Sequence, residues 1–261
     1  MLTSVESIAE AAWLWLQAEL DNWSTESKTA GFWWRDDDAG GKTNQLEKLL
    51  KLSSDQAVPL SLAVIPSQLE TGLGRYLEQE SQLSVLQHGF SHASHARIGQ
   101  KKLELGGDRD PLQLASDLKQ GSEILKQEFG NRFNRVLVPP WNRIDEEVLK
   151  MLPAFGFKGI STMRVRKIAY PCPQLLQVNA HLDPIHWRHR GGFIGVYPAI
   201  AILVQHLIAR RTGYRDIDEP TGILTHHLVQ NDAVWRFCED LMAFLSKHPA
   251  VNWMDAASIW R

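Results

Sequence analysis

Cysteine is scarce in this 261-residue chain: there are two, Cys172 and Cys238, and they form no CxxC pattern. A disulfide framework and a structural zinc ribbon are therefore excluded, and a reducing compartment suits the chain. An excess of one charge is also missing. Lysine and arginine number 28 against 30 aspartates and glutamates, a formal net charge of -2. So even a balance argues against nucleic acid or an anionic membrane as partner. No apolar run reaches the roughly 20 residues that a membrane span needs. The longest, residues 192–209, contains Pro198, Gln205 and His206 and runs into Arg210-Arg211, so it reads as a buried strand leading into a helix. No repeat, low-complexity tract or Pro/Gly/Ser-rich linker divides the sequence, and residues 1–261 read as one domain. The first ten residues carry early glutamates and no basic start, unlike a secretory signal, so a cytoplasmic protein is expected.

What is present is material for a large core: 44% of residues are hydrophobic. Ile8, Ala11, Ala12, Leu14, Trp15 and Ala18 recur at helical spacing and predict an amphipathic helix over about residues 5–22. Short apolar runs at 31–35, 59–65, 83–86, 135–138, 159–162, 222–225 and 251–254 lack alternation, as parallel strands covered on both faces do. Helical patterns at 43–52, 110–129, 145–152 and 233–247 lie between them, with Gly130 expected as one C-cap and Pro153 and Gly156 ending another helix. Repeated strand–helix alternation predicts an α/β architecture. The polar candidates decide between an open and a closed sheet. Asp36 to Asp38, His88, the stretch from Pro139 to Asn142, and His226 each follow an apolar run. Reactive groups at the C-terminal ends of several strands are the pattern of a barrel.

Three aspartates in succession repel unless something positive sits among them, and Arg35 is the nearest candidate. His88 and His92, four residues apart, can turn to one side and bind a divalent cation, with a carboxylate from another strand end as third ligand. Alone the pair is a weak signal; beside the aspartates it becomes a candidate metal site. His95 is a weaker candidate for a supporting role. Pro139 and Pro140 stiffen a loop that carries Trp141 and Asn142, a shelf on which an aromatic face meets a sugar ring. His226 offers an imidazole, a side chain suited to a general acid. Lys101, Lys102, Leu103 and Glu104 read as a solvated loop.

The order of these motifs resembles the polysaccharide deacetylase family, the carbohydrate esterases that act on chitin, peptidoglycan and chitooligosaccharides. The likeness runs from about Phe32 to His227. It implies a distorted (β/α)7 barrel, one zinc-type divalent ion and removal of an N-acetyl group from an acetamido sugar or glycan precursor. Asp37 takes the place of the general base, Asp38, His88 and His92 those of the metal ligands, and His226 that of the general acid. A register one residue earlier, Asp36 with Asp37, fits the motif as well. Pro140, Trp141 and Asn142 fall where substrate is bound, and Arg35, Asp36 and Asp183 are supporting charges. Two motifs depart from the family. The arginine that contacts the base is replaced by Val138, with Arg35 or Arg143 as substitutes, and the fourth motif is matched only loosely around Asp183 and Trp187. A small non-sugar amide as substrate, or a sugar-binding protein without activity, are the competing readings. Without an export signal, an intracellular sugar precursor is expected rather than a wall polymer.

Overall fold

The computed structural model describes residues 4–187 and 191–261. The strands are β1 (Ala30–Ala39), β2 (Leu60–Val64), β3 (Leu83–His88), β4 (Phe133–Val138), β5 (Gly159–Ile160), β6 (Leu176–Gln177), β7 (Ile185–His186), β8 (Gly192–Phe193), β9 (Thr221–Thr225) and β10 (Val251–Trp253). The α-helices are α1 (Ser4–Thr25), α2 (Asn44–Gln56), α3 (Leu73–Tyr76), α4 (Pro111–Phe129), α5 (Glu146–Met151), α6 (Val196–Arg211), α7 (Asp232–Ser246) and α8 (Ala256–Ile259). All seven apolar runs contain a strand, and the four helical patterns are helices. The run at 192–209 divides into β8 and α6, as its composition suggests.

Strands β1 to β6 are parallel neighbours in order, and β9 and β10 both pair in parallel with β1. The segment after β6 closes the ring. Ala180 N–H donates to Thr162, while His181 and Leu182 N–H both donate to Gly222 and Leu224 N–H donates back to Leu182. Counting that segment with β6, the ring runs β1-β2-β3-β4-β5-β6-β9. This is the curled, barrel-like α/β sheet expected, irregular where β5 and β6 are only two residues long. β7 and β8 form a separate antiparallel pair.

Both faces of the sheet are apolar, which is why its strands do not alternate. Inside the ring, Trp33, Ala63, Leu86, Val136, Val138 and Val178 pack with Trp260 of the C-terminal segment. Outside, Phe32, Trp34, Leu62 and Val85 meet the helical layer. Helix ends follow local chemistry. Thr43 and Asn231 accept from backbone N–H groups of the first turns of α2 and α7. Gly130 (φ 57°) caps α4, and Gly156 (φ 81°) ends the turn that follows α5. One expectation needs correction. The buried stripe of α1 is Ala12, Leu16, Leu20 and Trp23, while Ile8 and Leu14 are exposed. Two apolar faces overlap on this helix, and contact with α6 selects one. Among the described residues, no helix is long and apolar enough to cross a membrane.

Candidate active site

The first strand is built to deliver charge. Residues on one face of β1 recur every second position, so Trp33, Arg35 and Asp37 share the ring interior and Trp34 and Asp36 face outward. Asp36 is buried in a structural role. Its Oδ2 accepts from Thr225 Oγ1 (2.6 Å) and His227 N–H (3.0 Å), and its Oδ1 lies 2.5 Å from His227 Nδ1. Burial pulls the His227 pKa down, but the Asp36 carboxylate more than offsets this and raises it. Strict alternation would turn Asp38 away from Asp37. A bulge prevents it: β1 pairs Asp36 with Leu62 and then Ala39 with Val64, so it holds one residue more than β2. Asp38 takes up the difference in the left-handed region (φ 69°), and both carboxylates line the same cavity.

Asp38, His88 and His92 bring their ligand atoms within 4.8 Å of one another. Asp38 Oδ1 is 3.0 Å from His88 Nε2 and 3.3 Å from His92 Nε2. His88 closes β3, and its Nδ1 lies 3.0 Å from the Val138 carbonyl. A carbonyl only accepts, so Nδ1 carries the proton and a neutral ring presents its Nε2 lone pair to the carboxylate. Two acceptors facing each other at 3.0 Å call for a proton or a cation between them. Burial pushes Asp38 up, yet His88, His226 and His92 hold it well below the usual carboxylate range. Burial pulls His88 down, yet Asp37 and Asp38 raise it, whereas burial and the His88 charge lower His92. Two imidazole nitrogens and one carboxylate oxygen, with the far nitrogen of one ring on a backbone carbonyl, are chemistry that fits a divalent ion.

Asp37 sits beside this cluster, with Arg35 fully buried against it. Arg35 Nη2 donates to Asp37 Oδ2 (3.1 Å), and Nε lies 2.9 Å from Oδ1. The same guanidinium donates to Ser161 Oγ (2.6 Å) and Asn142 Oδ1 (2.9 Å), so it ties β1 to the loops after β4 and β5. Arg143 instead donates to the Lys102 carbonyl and does not touch Asp37. His226 follows β9, with Nε2 at 4.0 Å from Asp37 Oδ2. The Trp187 ring stands edge-on to His226 at 4.7 Å, and its indole N–H donates to Asp183 Oδ2 (2.7 Å). Burial raises the Asp183 pKa against the opposing pull of His226. Trp141 lies 4.6 Å from His92, in a loop where Trp141 and Asn142 both have positive φ.

Two features escaped the sequence. Glu104 is no part of a solvated loop; it is fully buried. Its carboxylate accepts from the backbone N–H groups of Phe90, Ser91 and His92 at 2.7 to 3.2 Å and so shapes the turn between the two histidines. Its partner is Gly89 (φ 56°), where a Cβ would lie 2.2 Å from Glu104 Oε2. Lys101 and Lys102 are exposed as expected, and His95 is exposed too. The second feature is backbone strain. Of eight non-glycine residues with positive φ among the described residues, five line the cavity: Asp38, His92, Trp141, Asn142 and Arg164. Such strain gathers where function demands a geometry. The cavity holds about 1340 Å³ and takes in Asp37, Asp38, His88, His92, His226 and Asp183. Pro140, also expected to bind substrate, is buried.

A second group, His181, His206 and Glu219, also brings donor atoms within 4.8 Å. It lacks the proton pattern of a ligand set. The Gly222 N–H donates to His181 Nδ1 (2.9 Å), so the ring's proton is on Nε2, which has no lone pair to offer. Burial, with Arg210 and Arg166 nearby, pushes the His181 pKa down to about 3.

The fold has counterparts among solved structures. Over 89% of its length the chain superposes on 89% of a Mycobacterium smegmatis protein assigned as a polysaccharide deacetylase, with a TM-score of 0.60 and 16% identity. A family 4 acetyl xylan esterase of Clostridium thermocellum, solved with cobalt, matches over 88% of this chain and 89% of its own (TM-score 0.55, 13% identity). The chain has the fold of the polysaccharide deacetylases. A mutant pseudoenzyme of carbohydrate esterase family 4 with restored activity shares this fold over 90% of the chain and 68% of its own (TM-score 0.56, 13% identity). The polysaccharide deacetylase fold therefore carries both active and inactive proteins, and the site must argue for function. No protein-family model and no curated protein matches the sequence itself.

Proposed function

We propose that this chain is a metal-dependent hydrolase that removes the acetyl group from an acetamido sugar or glycan precursor. The observation that carries the reading is the convergence of a three-donor cation site, a carboxylate and an imidazole on one cavity. Asp38, His88 and His92 are the residues that would hold one divalent ion, zinc being the ion their donor set suits best. Bound there, the ion supplies Lewis acidity, which polarises the acetamido carbonyl and acidifies the attacking water.

Asp37 is the general base and takes the water's proton on its carboxylate. Arg35, held by Ser161 and Asn142, fixes the direction in which that carboxylate points. His226 is the general acid. Its Nε2 faces the space shared with Asp37 and delivers a proton to the departing nitrogen, because an amine leaves poorly as an anion. Asp183 holds Trp187 against His226 and so sets the plane of the imidazole. Trp141 offers its face to the apolar side of a sugar ring, on a loop stiffened by Pro139 and Pro140.

Elemental analysis of wild type beside His88→Ala tests the reading, paired with acetate release from N-acetylglucosamine oligomers. About one zinc-like ion per chain, lost in the variant, and acetate from the wild type only are the expected results. His226→Ala is expected to keep the ion and lose turnover. A wild type that takes up neither zinc nor cobalt would turn the case to a sugar-binding protein on this fold. Hydrolysis of small amides without any acetamido sugar would keep the chemistry and replace the substrate.

A further inference from the structure

The cavity continues well beyond the catalytic groups. It follows a partly exposed flank of α6 past Ile202, Gln205, His206 and Ala209 to Tyr214 and Arg215. The helical part alone spans about 10 Å at 1.5 Å per residue. A single acetamido sugar fills only a fraction of about 1340 Å³.

The charges along this groove are unequal. Three acids line it, and each is engaged: Asp37 by Arg35, Asp38 by the histidines, and Asp183 by Trp187 and the Ile185 N–H. Five basic side chains line it, Lys101, Lys102, Arg143, Arg164 and Arg215, and none has a carboxylate partner among the described residues. Lys102 lies over the Trp141 ring at 5.4 Å, at the catalytic end. Arg215 packs on Tyr214 at 5.0 Å, at the far end. Arg164 lines the same cavity in the left-handed region (φ 75°), its N–H donating to the Ala180 carbonyl and its own carbonyl accepting from Asn179 Nδ2. It shares that strain with four other cavity residues, Asp38, His92, Trp141 and Asn142, so its placement belongs to the same construction.

From this we infer that the substrate is an acetamido sugar bearing a phosphate or diphosphate group, received along the groove by Arg164 and Arg215. The assignment rests on the deacetylase reading for the sugar end and on the unpaired cations for the other. Guanidinium groups bind phosphate oxygens through paired N–H donors, which suits two arginines better than chance solvation. A nucleotide-linked and a lipid-linked sugar phosphate share this chemistry.

The test compares N,N'-diacetylchitobiose, N-acetylglucosamine 1-phosphate, uridine diphosphate N-acetylglucosamine and a polyprenyl-phosphate N-acetylglucosamine in detergent. Acetate release gives kcat/KM, and calorimetry on the same metal-loaded protein gives Kd. At least one phosphorylated compound is expected to exceed the neutral disaccharide by about tenfold or more, with the advantage shrinking as salt rises. Which one does so separates nucleotide from lipid. Within the Arg164→Gln, Arg215→Gln double variant the ratio of phosphorylated to neutral should fall to within about threefold of unity. A ratio is internal to each protein and survives a partial loss of folded material. Equal kcat/KM and equal Kd for neutral and phosphorylated compounds would overturn the inference, as would a ratio untouched in the double variant. If no compound releases acetate but the phosphorylated ones bind tenfold tighter and the double variant erases this, the charge assignment stands and the deacetylase reading falls.

Discussion

Among the described residues, two clusters contain two histidines and one carboxylate, and they have opposite characters. In Asp38, His88 and His92, a backbone carbonyl stands behind His88 and takes the proton of Nδ1. In Glu219, His181 and His206, a backbone N–H stands behind His181 and occupies the Nδ1 lone pair. The first ring turns a lone pair toward its carboxylate; the second turns a hydrogen toward Glu219, 3.6 Å away. Residue type and spacing do not separate the two. The peptide group behind the ring does, because it fixes the tautomer.

The comparison breaks most decisively at the carboxylates. Asp38→Ala is expected to abolish metal uptake, with affinity down by at least about a hundredfold, whereas Glu219→Ala should leave one ion per chain. Cobalt absorption spectra of the two variants would decide; uptake lost in Glu219→Ala instead would reverse the assignment. The arginines sharpen the contrast. Arg35 and Asp37 are both almost wholly buried, so Arg35→Leu strands a carboxylate and should lower stability by about 3–5 kcal/mol in urea unfolding. Glu104→Ala comes next. It leaves three backbone N–H groups in the histidine turn without their acceptor, a loss on the order of 3 kcal/mol, with metal bound about ten- to a hundredfold more weakly. An unchanged metal affinity would reduce Glu104 to a folding residue.

The smallest effect is on pH dependence. His181 titrates near 3 because burial and two arginines disfavour its charge, and His206 is pushed down by burial, His181 and Arg210. The native state thus binds fewer protons than the unfolded chain below about pH 6.5. Stability from each ring is complete above that pH and is lost as pH falls, by about 1.4 kcal/mol per unit. Glu219, raised to about 7 chiefly by burial, acts oppositely: the native state keeps its proton, so its contribution declines as pH rises from 4.5 to 7. Unfolding measured from pH 7 to pH 4 should show a slope that is shallower in His206→Gln by roughly one group. Parallel slopes would mean that His206 is protonated in the native protein.

The sheet was legible because burial on both faces leaves unbroken apolar runs, and the strand ends were legible because chemistry begins where those runs stop. The metal candidates and His226 were readable for the same reason. Position within a strand end was not. Whether Asp36, Asp37 or Asp38 faces the cavity depends on a one-residue bulge against β2, which no pattern within β1 encodes. Arg35 was legible as one of two candidates to contact the base, but the choice over Arg143 was not, since its reach to Ser161 and Asn142 depends on loops more than a hundred residues away. Glu104 was hidden by its neighbours: after two lysines, a glutamate looks like surface. The buried stripe of α1 was misjudged because apolar residues cover more than one face of that helix, and only packing chooses.

The left-handed residues around the cavity have a consequence for anyone breeding this protein. Asp38, His92, Trp141, Asn142 and Arg164 each sit where glycine would rest more easily, at roughly 1 kcal/mol or more apiece. Selection for heat resistance alone would find relief at these five positions first. Its early winners would be sturdier proteins with an idle pocket, so a screen for robustness must also demand turnover in every round.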